Sequence, residues 1–260
     1  AFIYKKNRDS ESSKFTIYCW IVGIIPALLT LKVSSDLSSA LVIMAITFGL
    51  TFIFNRTKKM HIVVLLTAVG LIAGYILHIK SNLPDSAHID DYSYRIARIV
   101  AWLYPDRYSD AAYQSQTALY SIGSGGFWGV GLGRMYVNIP EGQTDFIFVL
   151  LTHQLGIFGG ICLILCYVYL LFQILKIALN ACSLYETILV IGILIHIATQ
   201  VVVNMGVCTS LLPNTGLPLV LISYGGSSIL TSFAELAICV SVSKKSVVKV
   251  SKKIAKEELG

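Results

Sequence analysis

The amino-acid sequence predicts an all-α polytopic membrane protein, with about six transmembrane helices and a long extracytoplasmic re-entrant loop. Of its 260 residues, 55% are hydrophobic and only 13% are charged, and the mean hydropathy is +0.74. In soluble domains roughly a quarter of all residues are charged, so this composition excludes an ordinary soluble domain. The formal charge of +6 is not a nucleic-acid signal, because the basic residues lie in short clusters beside apolar runs.

Six apolar runs are long enough to cross a bilayer, which takes about twenty residues. In chain order they cover 15–33, 37–55, 60–79, 146–178, 184–207 and 217–242. Lysines and arginines precede the first run, separate the second from the third, and follow the fourth and the sixth. If the spans alternate, these clusters share one side, which is predicted to be the cytoplasm because cytoplasmic loops are rich in both residues.

This topology predicts one membrane domain over residues 1–260, an extracytoplasmic segment over 80–144 and a basic cytoplasmic tail over 243–260. The chain begins AFIYKKNRDSESSKF, which is typical of a spanning helix that ends in the cytoplasm. It is therefore expected to be the C-terminal part of a longer protein. The six cysteines have no zinc-binding spacing and mostly lie in or beside apolar runs, so they are expected to pack as small hydrophobic side chains.

The segment 80–144 is too apolar for a simple solvated loop, and its aromatic residues are typical of a bilayer interface. It contains a glycine run, GSGGFWGVGLG, over residues 123–133. Short helices and a glycine-rich turn that dip into the membrane are predicted, since irregular backbone is tolerated there when protein or a watery cavity surrounds it. The glycines leave two roles open, a packing turn or a backbone cradle for phosphate.

Ionisable side chains in or beside membrane segments are functional candidates, because burying their charge costs about 3 kcal/mol or more. The candidates are Asp145, His153, Glu186, His196 and Glu235. Glu186 is expected to favour a helix N-terminus, and His196 to be an isolated packing histidine. For Glu235 two roles stay open, packing or pairing with a polar group in a missing helix. For His153 and Gln154 the open roles are packing or lining a cavity. Asp145 precedes the fourth run and either caps its helix or acts chemically.

Several stretches resemble the patterns of one known family. Residues 138–160, NIPEGQTDFIFVLLTHQLGIFGG, are similar to PE-x-HTDFIF-x-x-x-x-E-E-LG-x-x-G. Asn204-Met205-Gly206 with residues 211–230, LLPNTGLPLVLISYGGSSIL, are similar to N-x-G and LLPVTG-x-PLPFISYGGSS, and the glycine run is similar to GSGGLFGKGLG. The family is SEDS, the shape, elongation, division and sporulation proteins FtsW, RodA and SpoVE. The resemblance runs from end to end and implies an N-terminally truncated member, with the last six of about ten helices.

The resemblance implies a peptidoglycan glycosyltransferase that polymerises lipid II, the undecaprenyl-pyrophosphate-linked disaccharide pentapeptide, into glycan strands. The work would take place at the outer face of the bacterial plasma membrane, for cell division, elongation or sporulation. Asp145 matches the family's essential aspartate and would be the general base. The expected substrate-binding positions are Arg95, Arg98, Tyr113, Gln114, Gly123, Ser124, Gly125, Gly126, Arg134, Glu141, Thr144, Asn204, Pro213, Thr215, Gly216, Ser223, Tyr224, Gly225 and Gly226.

The expected partners are lipid II, membrane lipid and a class B penicillin-binding protein, and nucleic acid is not expected. No cofactor is implied with certainty. A divalent cation, Mg²⁺ or Mn²⁺, would suit a pyrophosphate leaving group, although no ligand cluster in the sequence indicates one.

The chain departs from the family pattern around the expected site. Gln143 replaces a His, His153 and Gln154 replace a pair of Glu residues, and Val130 replaces a Lys. These losses of charge are compatible with a divergent or weaker enzyme. Two other functions stay open, a lipid II flippase and a non-catalytic scaffold for the penicillin-binding protein. A transporter would need polar residues along a whole path through the membrane, whereas here they gather at the predicted outer face, which favours the enzyme.

Overall fold

The computed structural model describes residues 13–33, 37–54, 58–83, 94–134 and 139–257, and over these ranges the chain forms helices and no strand. The described helices are α1 (Ser13–Val33), α2 (Leu37–Phe54), α3 (Lys58–Ser81), α4 (Tyr94–Leu103), α5 (Ser109–Gly125), α6 (Ile147–Leu179), α7 (Leu184–Cys208) and α8 (Gly226–Glu257). The predicted all-α fold is therefore confirmed.

Five of the described helices are long and apolar enough to cross a membrane, namely α2, α3, α6, α7 and the Gly226–Val247 part of α8. The apolar part of α1, Ile17–Val33, is shorter than these five. The chain is a multi-pass membrane protein, as the six apolar runs predicted, and the helix ends agree with the runs to within about two residues except at both ends of the sixth.

The sixth span begins at Gly226 rather than at residue 217. The residues in between are mostly apolar, but the backbone cannot continue as a helix through them. Gly216 and Leu221 have φ values of 73° and 67°, and Pro218 lacks the N–H that a helix interior needs. At the other end α8 runs to Glu257, so most of the basic tail is helical.

The chain divides into two compact units. The first unit comprises the described residues of Ala1–Arg56, Leu163–Val201 and Val220–Gly260, and the second unit those of Thr57–Cys162 and Val202–Leu219. In the first unit, α1 and α2 approach closely at Gly23, where an added Cβ would lie 2.1 Å from Thr47 Oγ1. That hydroxyl donates to the Ile43 carbonyl at 2.8 Å, so it is satisfied inside α2 without water.

The second unit contains both short helices of the segment 80–144. They enclose a small apolar core with the end of α3, formed by Ile79, Val100, Ala101, Tyr108 and Ala112, with Leu83, Ile96, Ile99 and Tyr104 packed against it. The predicted short helices are thus confirmed. Because they bury apolar side chains against one another, the parts of the segment that the structure describes around these helices are folded and not a free loop.

Within the second unit, α6 is broken at Gly156, whose φ of 74° and ψ of −177° are not helical. The break frees backbone groups on either side, and the glycine segment, defined here as residues 126–133, takes them up. A Cβ on Gly156 would lie 2.2 Å from the Phe127 carbonyl oxygen, so only glycine permits this approach. The crossing hydrogen bonds run from Val130 N to His153 O and from Gly131 N to Gln154 O at 3.1 Å each, from Ile157 N to Gly126 O at 3.0 Å and from Phe158 N to Phe127 O at 3.3 Å.

Candidate functional site

Asp145 lies at the end of a tight turn that leads into α6. Glu141 has a φ of 56°, and its carbonyl accepts hydrogen bonds from the N–H groups of Thr144, Asp145 and Phe146 at 3.2, 3.1 and 3.3 Å. Phe146 is only 1% exposed and anchors the turn in the interior. Among the described residues the Asp145 carboxylate makes no hydrogen bond that caps α6, so the capping role left open by the sequence is not supported.

Asn204, on α7, holds the backbone of Asp145. Its Nδ2 donates to the Asp145 carbonyl and to the Leu217 carbonyl, at 2.7 Å each. Asn204 is buried, and Cys208 Sγ lies 3.6 Å from the same Asp145 carbonyl. The amide hydrogens of Asn204 are therefore used on the protein backbone, where they join the turn before α6 to the loop after α7.

The carboxylate of Asp145 and the guanidinium of Arg98 lie on the same side of Gly216. A Cβ built on Gly216 would be 3.4 Å from Asp145 Oδ2 and 3.8 Å from Arg98 Nη1. The φ of Gly216 is 73°, a conformation that side chains other than glycine rarely adopt. A base, a cation and the space that a side chain would fill therefore meet at one point of the second unit.

The surroundings raise the pKa of Asp145 above the usual value of an aspartate. Burial is the largest cause, because it removes water from the charged form, and the negative charge of Glu141 adds to it. The positive charge of Arg98 opposes both effects. A carboxylate with a raised pKa is a stronger base once it is ionised, which suits abstraction of a proton from a hydroxyl group.

Asn214 is a residue of this site that the sequence analysis missed. Its carbonyl accepts from Arg98 Nη1 at 3.0 Å, and its Nδ2 donates to Gln114 Oε1 at 2.9 Å. Its Oδ1 accepts the N–H of Gly216 at 3.3 Å. A signal was present in the sequence, because an amide side chain stands here where the quoted family pattern LLPVTG has Val.

The glycine segment uses much of its backbone internally. Besides the bonds of Val130 and Gly131 to α6, Gly126 N donates to the Gly123 carbonyl and Arg134 N to the Gly131 carbonyl. Gly133 N donates to Gln154 Oε1 at 3.3 Å. These N–H groups are engaged, so of the two roles left open the structure supports the packing turn. Binding of substrate by Gly123, Ser124, Gly125 and Gly126 stays a prediction.

His153 and Gln154 hold α5 and the glycine segment to α6. His153 is 3% exposed, and its Nδ1 lies 2.9 Å from the Ser121 carbonyl, to which it donates. Gly125 packs against the same turn of α6, since a Cβ there would lie 2.9 Å from the His153 carbonyl oxygen. Both side chains therefore have packing partners, where the sequence left a cavity-lining role open.

The remaining predicted site residues fall into three groups. One group belongs to the same unit as Asp145 and either makes a contact described above or adjoins a residue that does: Gln114, Glu141, Thr144, Pro213 and Thr215. Tyr113 and Arg134 are exposed residues of that unit. Ser223, Tyr224, Gly225 and Gly226 belong to the first unit, where Ser223 is buried and Tyr224 is exposed. The side chain of Arg95 lies outside the described residues.

Two ionisable candidates pair with each other in the first unit. His196 Nδ1, on α7, lies 2.6 Å from Glu235 Oε1, on α8, and both side chains are mostly buried. The expectation that His196 is isolated was wrong. For Glu235, which the sequence left between packing and pairing, the structure shows pairing, with a partner in α7 of this chain. Polar side chains in a membrane span are costly to bury, and a hydrogen bond between the two reduces that cost.

Glu186 lies in the first turn of α7, as expected. Its N–H donates to Ser183 Oγ at 3.3 Å, which is one half of a capping box. Its carboxylate also accepts a hydrogen bond from Lys245 on α8. This ion pair links the ends of two helices of the first unit and accounts for the residue without a catalytic role.

The part of the chain that the structure describes holds no group of three or more His, Cys, Asp or Glu side chains placed for a metal ion. The described residues thus offer no donor set for a protein-held cation, and no step below uses one. A cation carried by the pyrophosphate stays a prediction.

Comparisons with known proteins relate the whole chain to one family. The model of the cell cycle protein family FtsW/RodA/SpoVE matches residues 1–247. Stage V sporulation protein E of Bacillus subtilis (strain 168) is 40% identical over 157 residues, which are 59% of this chain and 43% of that protein. The probable peptidoglycan glycosyltransferase FtsW of Francisella salina is 35% identical over 85% of this chain and 53% of its own length. FtsW of Coxiella burnetii is 32% identical over 92% and 62%, so the chain spans about half the length of these curated relatives.

Solved structures share the fold. A structure described as the structural coordination of polymerization and crosslinking by a peptidoglycan synthase complex matches with a TM-score of 0.71 and 25% identity, over 91% of this chain and 64% of that chain. The crystal structure of an aspartate-to-alanine mutant of the rod shape determining protein RodA of Thermus thermophilus matches with a TM-score of 0.60 and 23% identity, over 94% and 62%.

Proposed function

This chain belongs to the family of cell cycle proteins FtsW, RodA and SpoVE, and from that premise we propose that it polymerises lipid II into glycan strands as a peptidoglycan glycosyltransferase. The observation that carries the proposal is the convergence of Asp145 Oδ2 and Arg98 Nη1 at Gly216. The relatives named as probable peptidoglycan glycosyltransferases support the same reaction class.

In the proposed reaction Asp145 is the general base. Its carboxylate takes the proton of the 4-hydroxyl group of one sugar while that oxygen bonds to the anomeric carbon of another. The bond from the anomeric carbon to the lipid pyrophosphate breaks, and undecaprenyl pyrophosphate leaves with the electron pair. The raised pKa of Asp145 supports this role, because a base works best when its pKa lies near the working pH.

Arg98 would stabilise the charge that develops on the leaving pyrophosphate. A guanidinium matches phosphate oxygens with parallel N–H groups, and such fixed donors lower the barrier when they face the developing charge. Its position beside Asp145 supports this, since base and leaving group flank the same reacting carbon. The hydrogen bond to the Asn214 carbonyl restricts the guanidinium before substrate arrives.

The location and the partners are parts of the same proposal. The distribution of the Lys and Arg clusters supports an extracytoplasmic location for the Asp145 turn, where a lipid-borne sugar would meet water. A class B penicillin-binding protein is the proposed partner, supported by the likeness to a peptidoglycan synthase complex.

The test uses the purified protein with its penicillin-binding partner in liposomes that contain fluorescent lipid II. Wild type should form glycan chains, and Asp145→Asn should form none. Equal product from both would remove Asp145 as the base. If lipid II moves between leaflets but no glycan forms, the protein is a transporter rather than a polymerase. If it binds its partner but neither forms glycan nor moves lipid II, it is a scaffold.

A further inference from the structure

We infer that Asn214 is a positioning residue, which fixes Arg98 beside Asp145 by clamping the loop after α7 onto α5. The inference rests on the proposed function and deepens it. Asn214 departs from the family pattern, which has Val at this position, so the resemblance does not imply it. It is carried by the contacts of one residue with three parts of the second unit.

The loop over residues 209–219 is held at both ends by other residues. Trp102 Nε1, on α4, donates to the Ser210 carbonyl at 2.8 Å. At the far end Asn204 Nδ2 donates to the Leu217 carbonyl at 2.7 Å. Asn214 lies between these anchors, so its side chain governs the middle of the loop.

The side chain of Asn214 makes two bonds that Val cannot make. Nδ2 donates to Gln114 Oε1 at 2.9 Å, and Oδ1 accepts the Gly216 N–H at 3.3 Å. Together they attach residue 214 to α5 and to the peptide unit that precedes Gly216. Their loss would leave a half-buried amide on α5 without its partner, which costs free energy and loosens the loop.

The backbone carbonyl of Asn214 is a direct partner of Arg98. It accepts from Arg98 Nη1 at 3.0 Å, so its direction sets where the guanidinium rests. Among the residues that the structure describes, three titratable or charged groups face Asp145 or its backbone from the surrounding elements. They are Glu141 in its own turn, Arg98 on α4 and Cys208 on α7. Arg98 is the cation of this set, so its hydrogen bond to Asn214 keeps a favourable field on the carboxylate. If the carbonyl of Asn214 shifts, the guanidinium shifts with it and this field weakens.

Labelling of Asp145 provides a test that does not depend on activity. Dicyclohexylcarbodiimide modifies protonated carboxyl groups, and mass spectrometry of Asp145 against pH gives the pH midpoint of protonation in the intact protein. In Asn214→Val the midpoint should rise by about 0.5 pH unit, because the field of Arg98 weakens. Gln114→Leu removes only one of the two side-chain bonds of Asn214, so it should raise the midpoint by less, and the double variant should raise it no further than Asn214→Val alone.

The matched control is Gln116→Leu, on the same helix. Gln116 makes no hydrogen bond to Asn214 among the described residues, so its midpoint should equal that of wild type. An unchanged or lowered midpoint in Asn214→Val overturns the inference, as do additive effects of Asn214→Val and Gln114→Leu.

Activity separates this inference from the proposed function. Asn214→Val should lower kcat for glycan synthesis about 10-fold with little change in KM, because a displaced cation harms the transition state more than binding. If wild type forms no glycan but the labelling midpoints move as expected, the proposed function fails and the positioning role stands. If wild type is active and neither kcat nor the midpoint changes in Asn214→Val, the positioning role fails and the function stands.

Discussion

The side-chain amide of Asn204 donates to the backbone carbonyl of Asp145 at 2.7 Å, and this bond ties the carboxylate's turn to α7. The same nitrogen reaches the Leu217 carbonyl, so one buried side chain joins the two segments that meet at the candidate site. The position of Asp145 is therefore set by a helix that lies 59 residues further along the chain.

Replacement of Asn204 by Leu should lower the free energy of unfolding by about 2–4 kcal/mol. Two interior carbonyls would lose their donor, and each unsatisfied group costs about 1–3 kcal/mol. Unfolding in detergent, followed by circular dichroism, measures the loss. Cys208→Ala is the control, because it removes a small volume and weak S–H contacts, one to the same carbonyl and one to Asn204 Oδ1, and leaves the amide of Asn204 in place. Equal losses in the two variants would contradict the role given to Asn204.

Gly216→Ala should reduce activity more than its effect on stability explains. Its φ of 73° makes an alanine strained by about 1–2 kcal/mol, and the new methyl group would enter the space between Asp145 and Arg98. Gly133→Ala is the matched control, with a φ of 76° and no atom of the described residues within 4 Å of the added Cβ. We expect the two variants to lower the unfolding temperature by similar amounts, and only Gly216→Ala to lose glycan synthesis. Similar activities in both variants would show that the space beside Gly216 is not used.

The pH dependence of stability should reveal the raised pKa of Asp145. A carboxyl group with a raised pKa in the folded state stabilises the fold below its unfolded pKa, and this contribution is lost as pH rises through the folded pKa. Asp145→Asn removes the ionised group, so it should raise the unfolding temperature near neutral pH. The gain should shrink as pH falls towards about 4, near the ordinary pKa of aspartate. A destabilised variant at neutral pH would contradict the raised pKa.

The pair of His196 and Glu235 should behave as one unit in the membrane. His196→Leu alone leaves Glu235 without its partner at 2.6 Å and should cost about 3–5 kcal/mol. The double variant His196→Leu with Glu235→Leu should recover most of that loss, because no isolated polar group then remains in the span. Thermal unfolding of the two single variants and the double variant measures the coupling. Additive losses would show that the two side chains do not stabilise each other.

Sequence reasoning found the spans because hydrophobicity over twenty residues is a local property. It placed Asp145 before the fourth span correctly, as α6 begins at Ile147. It started the last span too early, because apolar letters from Leu217 onward do not reveal the positive φ values of Gly216 and Leu221. The break at Gly156 was also hidden, since it depends on backbone bonds to the glycine segment more than twenty residues earlier.

The partners of polar side chains were the least predictable part. His196 and Glu235 are 39 residues apart, and Asn214 and Gln114 are 100 apart. Such pairs form only when helices pack, and nothing in the local pattern around either residue indicates the other. Asn214 also occupies the one position of LLPNTG that differs from the family pattern LLPVTG, so the resemblance does not indicate a role for it.

The measurement that tests the central claim most directly compares glycan synthesis by wild type, Asp145→Asn and Asp110→Asn under identical conditions with labelled lipid II. Asp110 is an exposed carboxylate in the first turn of α5, so its replacement controls for the loss of one negative charge in the same unit. The predicted result is product from wild type and Asp110→Asn and at least about 100-fold less from Asp145→Asn, the scale of general base catalysis. Product from Asp145→Asn at the rate of Asp110→Asn would contradict the account.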